Sequence, residues 1–298
     1  MMPFPDHRPD APPDRYAVLG HPVAHSQSPF IHEAFARQTG QAIAYGRIEA
    51  PLDRFEATVQ AFIASADPAQ GLGLARGCNI TLPFKFQVIA LAARSTPRAL
   101  LAQAANTLRF DADGWLADNT DGVGLMRDLQ QAAGLVLAGR RVLLIGAGGA
   151  AAGVLGPLIE ARPAEVVVAN RTLAKADGLV QRHRPLAQAC QVPLRSAPLA
   201  DCGRGFDLVI NSSASSLGGG PVPVSPEVLG PRAFAVDLMY GPAARLFLDW
   251  AAAHGAQGRD GLGMLVEQAA ESFQVWRGVL PQTAPVLAAL RARLAGPA

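Results

Sequence analysis

Short apolar runs alternate with amphipathic stretches in the first part of the chain, from Tyr16 to about Leu116. The runs YAVLG, AYGRIEA, CNITL and ANTLRF predict strands, and the periodicity of PFIHEAFARQTG and LDRFEATVQAFIASA predicts helices. This alternation is typical of a mostly parallel sheet with helices on its faces. A DADG turn at residues 111–114, followed by residues 115–118, predicts a hairpin at the edge of this first unit. The stretch GVGLMRDLQQAAG then predicts a helix that leads out of it.

A second series of strands begins at Arg141. The runs RVLLIG, EVVVAN, FDLVINS and AFAVDLM are almost continuously apolar, as in parallel strands that are buried on both faces, and they indicate a Rossmann-like unit. After Asp260 only two helical segments remain, GMLVEQAAESFQVWRG and APVLAALRARLAG, which we expect to pack back on the first domain. The predicted fold class is therefore α/β with two domains, one at residues 1–121 plus 261–298 and a Rossmann-like one at residues 122–260.

Three further segments have local interpretations. Residues 142–159 carry no charge over 18 positions, but VLLI followed by GAGGAAAG fits a strand, a turn and a helix better than a membrane span. Residues 1–15 are rich in Pro and Asp and lack the apolar core of a secretory signal, so we expect a frayed tail. The run GGGPVPVSP at residues 218–226 predicts a loop.

Composition narrows the possible partners. The 298 residues are 50% hydrophobic, and 26 basic against 24 acidic residues leave a net charge of +2 without a Lys/Arg block, which argues against nucleic acid. Cys78, Cys190 and Cys202 are odd in number and widely spaced, which argues against a disulfide framework and a structural zinc site. We expect a cytoplasmic monomer or homodimer that binds a small molecule, with no metal and no membrane partner.

A glycine-rich turn directly follows a predicted strand and directly precedes a predicted helix. Its residues are Gly146, Ala147, Gly148, Gly149 and Ala150, a variant of the dinucleotide-binding fingerprint. Glycines allow the backbone to approach a pyrophosphate, whose charge is met by amide groups and the positive end of the helix. A purely structural turn is the alternative for such a motif taken alone.

The end of the next strand predicts which dinucleotide binds. NAD-specific sites have Asp or Glu there, which binds the ribose 2′-hydroxyl, whereas this chain has Asn170, Arg171 and Thr172, with Lys175 one turn on. A guanidinium can bind a phosphate through two hydrogen bonds, and Thr172 and Lys175 add a hydroxyl and a second cation. A merely exposed basic turn is disfavoured, because cations are unfavourable at a helix N-terminus. We therefore predict NADP(H) rather than NAD.

Four polar clusters lie where strands of the first domain should end, the position at which open α/β sheets bind ligands. They are Ser26 with Ser28, Asn79 with Thr81 and Lys85, Asn106, and Asp121. Each alone has a structural explanation as a cap, a turn residue or a solvated charge. Together they could orient a small polyol acid and move one proton. Lys85 is the best-placed group to exchange the alcohol proton that a nicotinamide dehydrogenase must handle.

The chain resembles the shikimate dehydrogenase family over nearly its whole length. The matching segments are YAVLGHPVAHSQSPFIH, GCNITLPFK, AANTL, DNTDGVGL, LLIGAGGAAAGV, ANRT, DLMY and DGLGMLVEQAAESFQVW. The combination of SxSP, NxTxPFK, NTDG and DGxGMLVxQ makes the resemblance specific. It implies reversible reduction of 3-dehydroshikimate to shikimate by NADPH, a step of chorismate and aromatic amino acid biosynthesis. Lys85 would be the general acid and base, with Asp121 as its catalytic partner.

The resemblance also implies roles for other residues. The ring hydroxyls and the carboxylate would be held by Ser26, Ser28, Thr81, Asn106, Tyr240 and Gln268, with Asn79 in support. The cofactor side would comprise the turn at residues 146–150, the segment with Asn170, Arg171, Thr172 and Lys175, and also Leu238 and Gly261. Residues 1–121 plus 261–298 would then be the substrate-binding catalytic domain, and residues 122–260 the NADP-binding domain.

The chain departs from the family pattern at three places. Pro97 stands where the family usually has an acidic residue near the cofactor, which puts that contact in doubt. His21 replaces a common Asn, and the loop that begins at Asn211 reads NSSAS instead of a sequence close to NATP or NATS. The two histidines His21 and His25 do not indicate a metal, because turn histidines are usually structural and hydride transfer to NADP needs none.

Two alternative functions stay open. One is a paralogue that also accepts quinate or prefers NAD, against which the serine pair and the Asn-Arg-Thr turn argue. The other is a non-catalytic NADP-binding sensor, against which the presence of both Lys85 and Asp121 argues.

Overall fold

The computed structural model of the protein describes residues 12–213 and 220–295. The chain divides into two compact units, Met1–Thr120 with Val266–Ala298 and Asp121–Leu265. Each unit contains a six-stranded sheet. The predicted fold class, α/β with two mostly parallel sheets of which one is Rossmann-like, is confirmed.

The strands follow the predicted apolar runs, with three additions. Their bounds are β1 (Asp14–Gly20), β2 (Ile43–Glu49), β3 (Ala75–Ile80), β4 (Arg94–Ser95), β5 (Thr107–Asp111), β6 (Gly114–Asp118), β7 (Arg141–Ile145), β8 (Glu165–Asn170), β9 (Leu194–Pro198), β10 (Phe206–Asn211), β11 (Leu229–Asp237) and β12 (Gln257–Asp260). Strands β4, β9 and β12 were not predicted. They are short or polar segments at sheet edges, where no alternation or continuous apolar run is needed.

The helices include all of those that the sequence predicts. Their bounds are α1 (Ser28–Thr39), α2 (Phe55–Ala64), α3 (Val88–Leu91), α4 (Pro97–Ala102), α5 (Asp121–Arg127), α6 (Gly149–Glu160), α7 (Leu173–Ala189), α8 (Pro242–Ala253), α9 (Leu262–Arg277) and α10 (Ala284–Ala295). The helix predicted after the hairpin is divided, because α5 continues as a π-helical segment, Asp128–Ala132.

The sheet of the first unit has the order β2-β1-β3-β5-β6-β4. Strand β1 pairs in parallel with β2 and β3, whereas β5 is antiparallel to β3 and β6. The predicted hairpin β5–β6 exists, and it lies directly before the end of this part of the unit at Thr120. Within the sheet, β4 pairs beyond β6. The predicted tail is also wrong for Asp14 and Arg15, which pair with Ile43 and Ala44. The rest of that segment up to residue 11 lies outside the described residues.

The first unit has apolar clusters on both faces of its sheet, because successive strand side chains point to opposite sides. One cluster contains Leu19, Phe84 and Leu108, each fully buried. The other contains Tyr16, Tyr45 and Trp276. The indole Nε1 of Trp276, on α9, donates a hydrogen bond to the carbonyl oxygen of Leu108 at 2.9 Å. This contact seats the C-terminal part of α9 on the sheet of the first unit.

The sheet of the second unit has the order β9-β8-β7-β10-β11-β12, with all neighbours parallel. This is the doubly wound order of dinucleotide-binding folds, in which ligands bind beyond the carboxyl ends of the strands. The uncharged stretch at residues 142–159 forms β7, a turn and most of α6, as predicted. No helix in the two described ranges is long and apolar enough to cross a membrane.

The predicted loop at residues 218–226 is described only in part. Residues 214–219 lie outside the described ranges, residues 220–225 form no helix or strand, and Pro226–Val228 form a 3-10 turn.

Candidate active site

A network of buried amides and hydroxyls lies where β3 and β6 of the first unit end and the antiparallel β5 begins. Asn106 therefore directly precedes a strand instead of following one, contrary to the expectation. The side-chain amide of Asn106 donates to Thr120 Oγ1 at 2.9 Å and to Gln268 Oε1 at 3.0 Å. The backbone N–H of Thr120 donates to Asn106 Oδ1 at 2.8 Å. Asn106 and Gln268 are two of the residues implied by the motifs. They are in direct contact because Gln268 lies on α9, which packs on the first unit.

Asn79 joins the same network from β3. Its Oδ1 accepts a hydrogen bond from the Tyr45 hydroxyl at 2.7 Å, and its Nδ2 donates to Ser272 Oγ at 3.1 Å and to Thr107 Oγ1 at 3.2 Å. Donors and acceptors on both sides fix the orientation of this amide, and leaving any of them unsatisfied in a buried place is costly.

Several members of this network were not predicted from the sequence. Tyr45 lies within a strand pattern that gives no sign of a polar role. Thr107 and Thr120 belong to the AANTL and DNTDGVGL segments, but no role was assigned to them. Ser272 had a usable signal, because it lies four residues after Gln268 and therefore on the same side of α9. Its hydroxyl donates to the Gln268 carbonyl oxygen at 3.0 Å.

Lys85 lies in a short 3-10 turn, Phe84–Phe86, that follows β3. Phe84 is fully buried, and its ring stacks on that of Phe55 with 4.7 Å between centroids. The carbonyl oxygen of Lys85 accepts a hydrogen bond from the Ala105 N–H at 2.9 Å, and Thr81 accepts one from Phe84 N at 3.1 Å. The turn that carries the half-buried Lys85 is thus anchored by an aromatic side chain and by its backbone.

The serine pair lies at the start of α1. Ser26 Oγ donates to Ser28 Oγ at 3.1 Å and accepts from Ser28 N at 3.3 Å. Ser28 is the first residue of the helix, and the cap position is Gln27, which makes no side-chain capping bond. The structural explanation of Ser28 as an N-cap is therefore wrong, and its buried hydroxyl is accounted for by the pair.

Pro97 occupies the first position of α4, where its fixed φ and missing N–H are favourable. Its neighbour Arg98 binds Asp118 through two hydrogen bonds of 2.7 Å and Glu271 through one of 2.9 Å. Asp118 Oδ1 also accepts from the Asn119 N–H at 2.7 Å. The described contacts therefore show Pro97 as the residue that begins α4. Arg98 fixes Asp118, the last residue of β6, which lies two residues before Thr120.

Asp121 opens the second unit as the first residue of α5 and is 4% exposed. A carboxylate in the first turn of a helix is favoured by the partial positive charge of the free N–H groups. Tyr240, which follows β11, is half-buried.

The glycine turn follows β7 in the second unit. Gly146 has φ 109°, and a Cβ there would lie 2.6 Å from Ser212 Oγ, so both the backbone conformation and the close contact disfavour a side chain. The cap position of α6 is Gly148, and a Cβ at this position would meet no atom of the described residues within 4 Å. Free amides at an open helix N-terminus are suited to bind an anion.

The basic segment follows β8, the strand next to β7. Asn170 Nδ2 donates to the Thr172 carbonyl oxygen at 2.8 Å, which shapes the turn. Arg171, Thr172 and Lys175 are all exposed. Their hydroxyl and cationic groups are therefore accessible to a phosphate at the carboxyl edge of this sheet.

The ends of β10 and β11 are joined by a buried carboxylate that the sequence did not reveal. Asp237 accepts from Asn211 Nδ2 at 2.9 Å and from the Met239 N–H at 2.8 Å. The N–H of Leu238 donates to the Asn211 carbonyl oxygen at 2.9 Å. Gly261 donates to the Met239 carbonyl oxygen at 2.8 Å, and any Cβ on it would collide with the carbonyl of Leu238. Leu238 and Gly261 are therefore neighbours at this edge.

The unusual loop after β10 is compatible with this arrangement. Ser212 Oγ donates to the Ile145 carbonyl oxygen at 2.7 Å, and Ser213 Oγ donates to Asn211 Oδ1 at 2.6 Å. The following Ala and Ser of the NSSAS segment lie outside the described residues. Within the described ranges, no group of three or more His, Cys, Asp or Glu side chains is arranged to hold a metal ion.

A doubly wound unit with an open glycine turn, in one chain with an α/β unit that holds a buried amide and hydroxyl network, defines the class of two-domain dinucleotide-dependent dehydrogenases. Three family models match the chain. They are the shikimate dehydrogenase substrate binding domain at residues 18–108, shikimate / quinate 5-dehydrogenase at residues 128–217, and the shikimate 5'-dehydrogenase C-terminal domain at residues 261–291.

Relatives and solved structures agree with these models. The shikimate dehydrogenase (NADP(+)) of Methylibium petroleiphilum is 64% identical over 95% of this chain and 96% of that protein. The shikimate dehydrogenase of Thermus thermophilus in complex with NADP(H) and shikimate has a TM-score of 0.79 at 32% identity, covering 94% of this chain and 99% of that one. The Ael1 enzyme from Pseudomonas putida has a TM-score of 0.80 at 45% identity, covering 93% and 98%. The chain belongs to the shikimate dehydrogenase family, as its motifs predicted.

Proposed function

We propose that this protein catalyses the reversible, NADP-dependent reduction of 3-dehydroshikimate to shikimate. The observation that carries the proposal is the hydrogen-bonded group of Asn106, Thr120 and Gln268, because it joins three separate motif segments in one buried polar cluster. A ring with several hydroxyls is a suitable ligand for such a cluster, since amides and hydroxyls both donate and accept hydrogen bonds. The relatives that match nearly the whole chain are named for this activity and for NADP(+).

The chain's own residues divide the work as follows. Ser26 and Ser28 hold the substrate carboxylate. The ring hydroxyls are held by Thr81, Asn106, Tyr240 and Gln268, and Asn79 fixes the amides around them. The boundaries proposed for this catalytic domain are residues 1–121 plus 261–298.

The cofactor-binding domain is proposed at residues 122–260. The turn at residues 146–150 binds the pyrophosphate through backbone amides other than that of Gly146, which donates to the Ala169 carbonyl oxygen at 2.8 Å. Asn170, Arg171, Thr172 and Lys175 bind the 2′-phosphate. Leu238 and Gly261 line the nicotinamide end. The bound dinucleotide supplies the hydride that reaches the substrate carbonyl carbon.

Lys85 and Asp121 form the catalytic pair. During reduction, Lys85 Nζ gives a proton to the carbonyl oxygen as hydride reaches the carbon, which yields the alcohol and leaves Lys85 neutral until it takes a proton from solvent. In the reverse direction the neutral amine accepts the alcohol proton. Asp121 hydrogen-bonds the reacting hydroxyl and keeps it directed at Lys85. Support comes from the anchored turn of Lys85 and from the burial of Asp121.

The setting proposed for this reaction is the cytoplasm. Three cysteine thiols without a disulfide suit a reducing compartment. The nearly balanced charge supports a small-molecule enzyme without a nucleic-acid partner, and the proposed assembly is a monomer or homodimer.

The test is a spectrophotometric assay of NAD(P)H formation with shikimate or quinate, each offered with NADP+ or NAD+. We expect the pair of shikimate and NADP+ to give the highest kcat/KM. The family-model name that includes quinate makes a broader substrate range the second candidate. Preference for quinate or NAD+ would favour the paralogue with a broader substrate or cofactor range over the proposal. The absence of turnover with every pair would favour a non-catalytic NADP-binding sensor.

A further inference from the structure

The exposed side chain of Arg47, on edge strand β2, holds the loop that carries the serine pair. Its Nε donates to the Ser26 carbonyl oxygen at 2.9 Å and its Nη2 donates to the same oxygen at 2.6 Å. Two donors of one guanidinium on a single carbonyl fix both the distance and the direction of that group. Arg47 is therefore attached to the backbone of a residue to which the proposed function gives a substrate contact.

Ser26 is held at its other polar atoms as well. Its N–H donates to the Val23 carbonyl oxygen at 3.0 Å, and its Oγ donates to Ser28 Oγ at 3.1 Å. Of these attachments, that of Arg47 alone comes from a different strand, whereas the others lie within five residues of Ser26. The guanidinium is thus one of the contacts that fix this loop on the first unit, together with the hydrogen bond from the His21 N–H to the Leu82 carbonyl oxygen at 2.9 Å.

The charge of Arg47 extends into the buried network. Burial raises the pKa of Tyr45 well above its usual value, and both the hydroxyl of Ser28 and the charge of Arg47 oppose this increase. Tyr45 is the donor to Asn79 at 2.7 Å. The guanidinium, the serine pair and the Asn79 amide therefore share one neighbourhood, in which the two serines contribute donors without charge.

We propose that Arg47 is a positioning residue for the substrate carboxylate: it fixes the Ser26–Ser28 pair and places a positive charge beside it. The inference rests on the proposed function, in which these serines bind the carboxylate. Neutral hydroxyls bind an anion more weakly than charged donors do, so a nearby cation adds attraction. Since Arg47 is exposed, this attraction must weaken as salt rises.

The test compares Arg47→Gln and Arg47→Lys with Arg37→Gln, a variant that removes the same charge from an exposed position of α1. For each protein, kcat and KM are measured with shikimate and with its uncharged methyl ester, at low and at high ionic strength. Thermal unfolding of each variant shows whether it is folded. Wild-type turnover of shikimate is measured first, because its absence would refute the proposed function rather than the role of Arg47.

Arg47→Gln should raise the KM for shikimate by about tenfold at low salt while kcat and the KM for NADP+ change little, a size that matches the loss of one charge-assisted interaction. The KM for the methyl ester should rise several times less. Arg47→Lys should keep the salt dependence of the KM for shikimate, and its KM should lie between those of the wild type and Arg47→Gln. Arg37→Gln should match the wild type. An unchanged KM for shikimate in Arg47→Gln would overturn the proposal, and so would an equal rise for acid and ester.

Discussion

Asn106 donates its side-chain amide to Gln268 Oε1 at 3.0 Å, although 162 residues separate the two in the chain. The contact joins Asn106, which directly precedes β5, to Gln268 on α9. The C-terminal segment therefore completes the polar cluster of the first unit rather than extending the second. A truncation before α9 would remove Gln268, a partner of the Asn106 amide, and Ser272, a partner of the Asn79 amide.

Arg171→Ala tests the choice of dinucleotide. The exposed guanidinium after β8 is assigned to the 2′-phosphate, so its loss should weaken NADPH binding by about 1.5–3 kcal/mol and leave NADH binding nearly unchanged. The measurement is the dissociation constant of each dinucleotide by fluorescence titration. Arg182→Ala, at an exposed position of α7, is the matched control. Equal weakening of NADPH and NADH would show that Arg171 does not read the phosphate.

Gly146→Ala and Gly148→Ala together distinguish backbone strain in the glycine turn from steric obstruction of the proposed pyrophosphate site. Gly146 has a positive φ and faces Ser212, so alanine should lower the free energy of unfolding by about 1–3 kcal/mol. Among the described residues none would contact a Cβ at Gly148, whose backbone is extended, so alanine there should cost less than about 1 kcal/mol. Both should weaken NADP+ binding, because each adds a methyl group to the proposed pyrophosphate site. Urea unfolding and NADP+ titration test this, and the same stability loss in both variants would contradict it.

His32 makes the stability of the protein depend on pH. Its ring is fully buried and stacks on Tyr45 at 4.3 Å, and burial lowers its pKa from 6.5 to about 3. The unfolded chain binds a proton below pH 6.5 that the folded state does not, so stability present above this pH is lost as the pH falls towards 3. Between pH 7 and pH 5 the expected loss from this group is about 2 kcal/mol.

His32→Phe keeps a stacking ring without a titrating group. Its free energy of unfolding, measured with urea at pH 7 and pH 5, should therefore fall by less than that of the wild type over the same interval. His183, with a pKa lowered by burial to about 4, contributes to both proteins and cancels in the comparison. An equal fall in the two proteins would mean that His32 is protonated in the folded state or solvated there.

The sequence predicted the central strands of both sheets because these strands are apolar throughout or strictly alternating. It missed β9 and β12 because LRSAP and QGRD lie at sheet edges and carry no such pattern. It predicted the motif residues Asn79, Asn106 and Gln268, but it could not predict Tyr45 or Asp237. Their polar roles arise from contacts with residues that are distant in the chain, such as the one between Tyr45 and Asn79 across 34 positions.

The assignment of Lys85 as the proton donor and acceptor is the central claim, and its most direct test is the steady-state kinetics of Lys85→Ala and Lys85→Arg with shikimate and NADP+. Arginine keeps the positive charge but does not lose a proton in proteins, so it separates charge from proton transfer. We predict that kcat falls by about 10²–10⁴ in both variants while the KM for shikimate changes far less. A kcat within a few-fold of the wild type in either variant would contradict the role of Lys85 in catalysis.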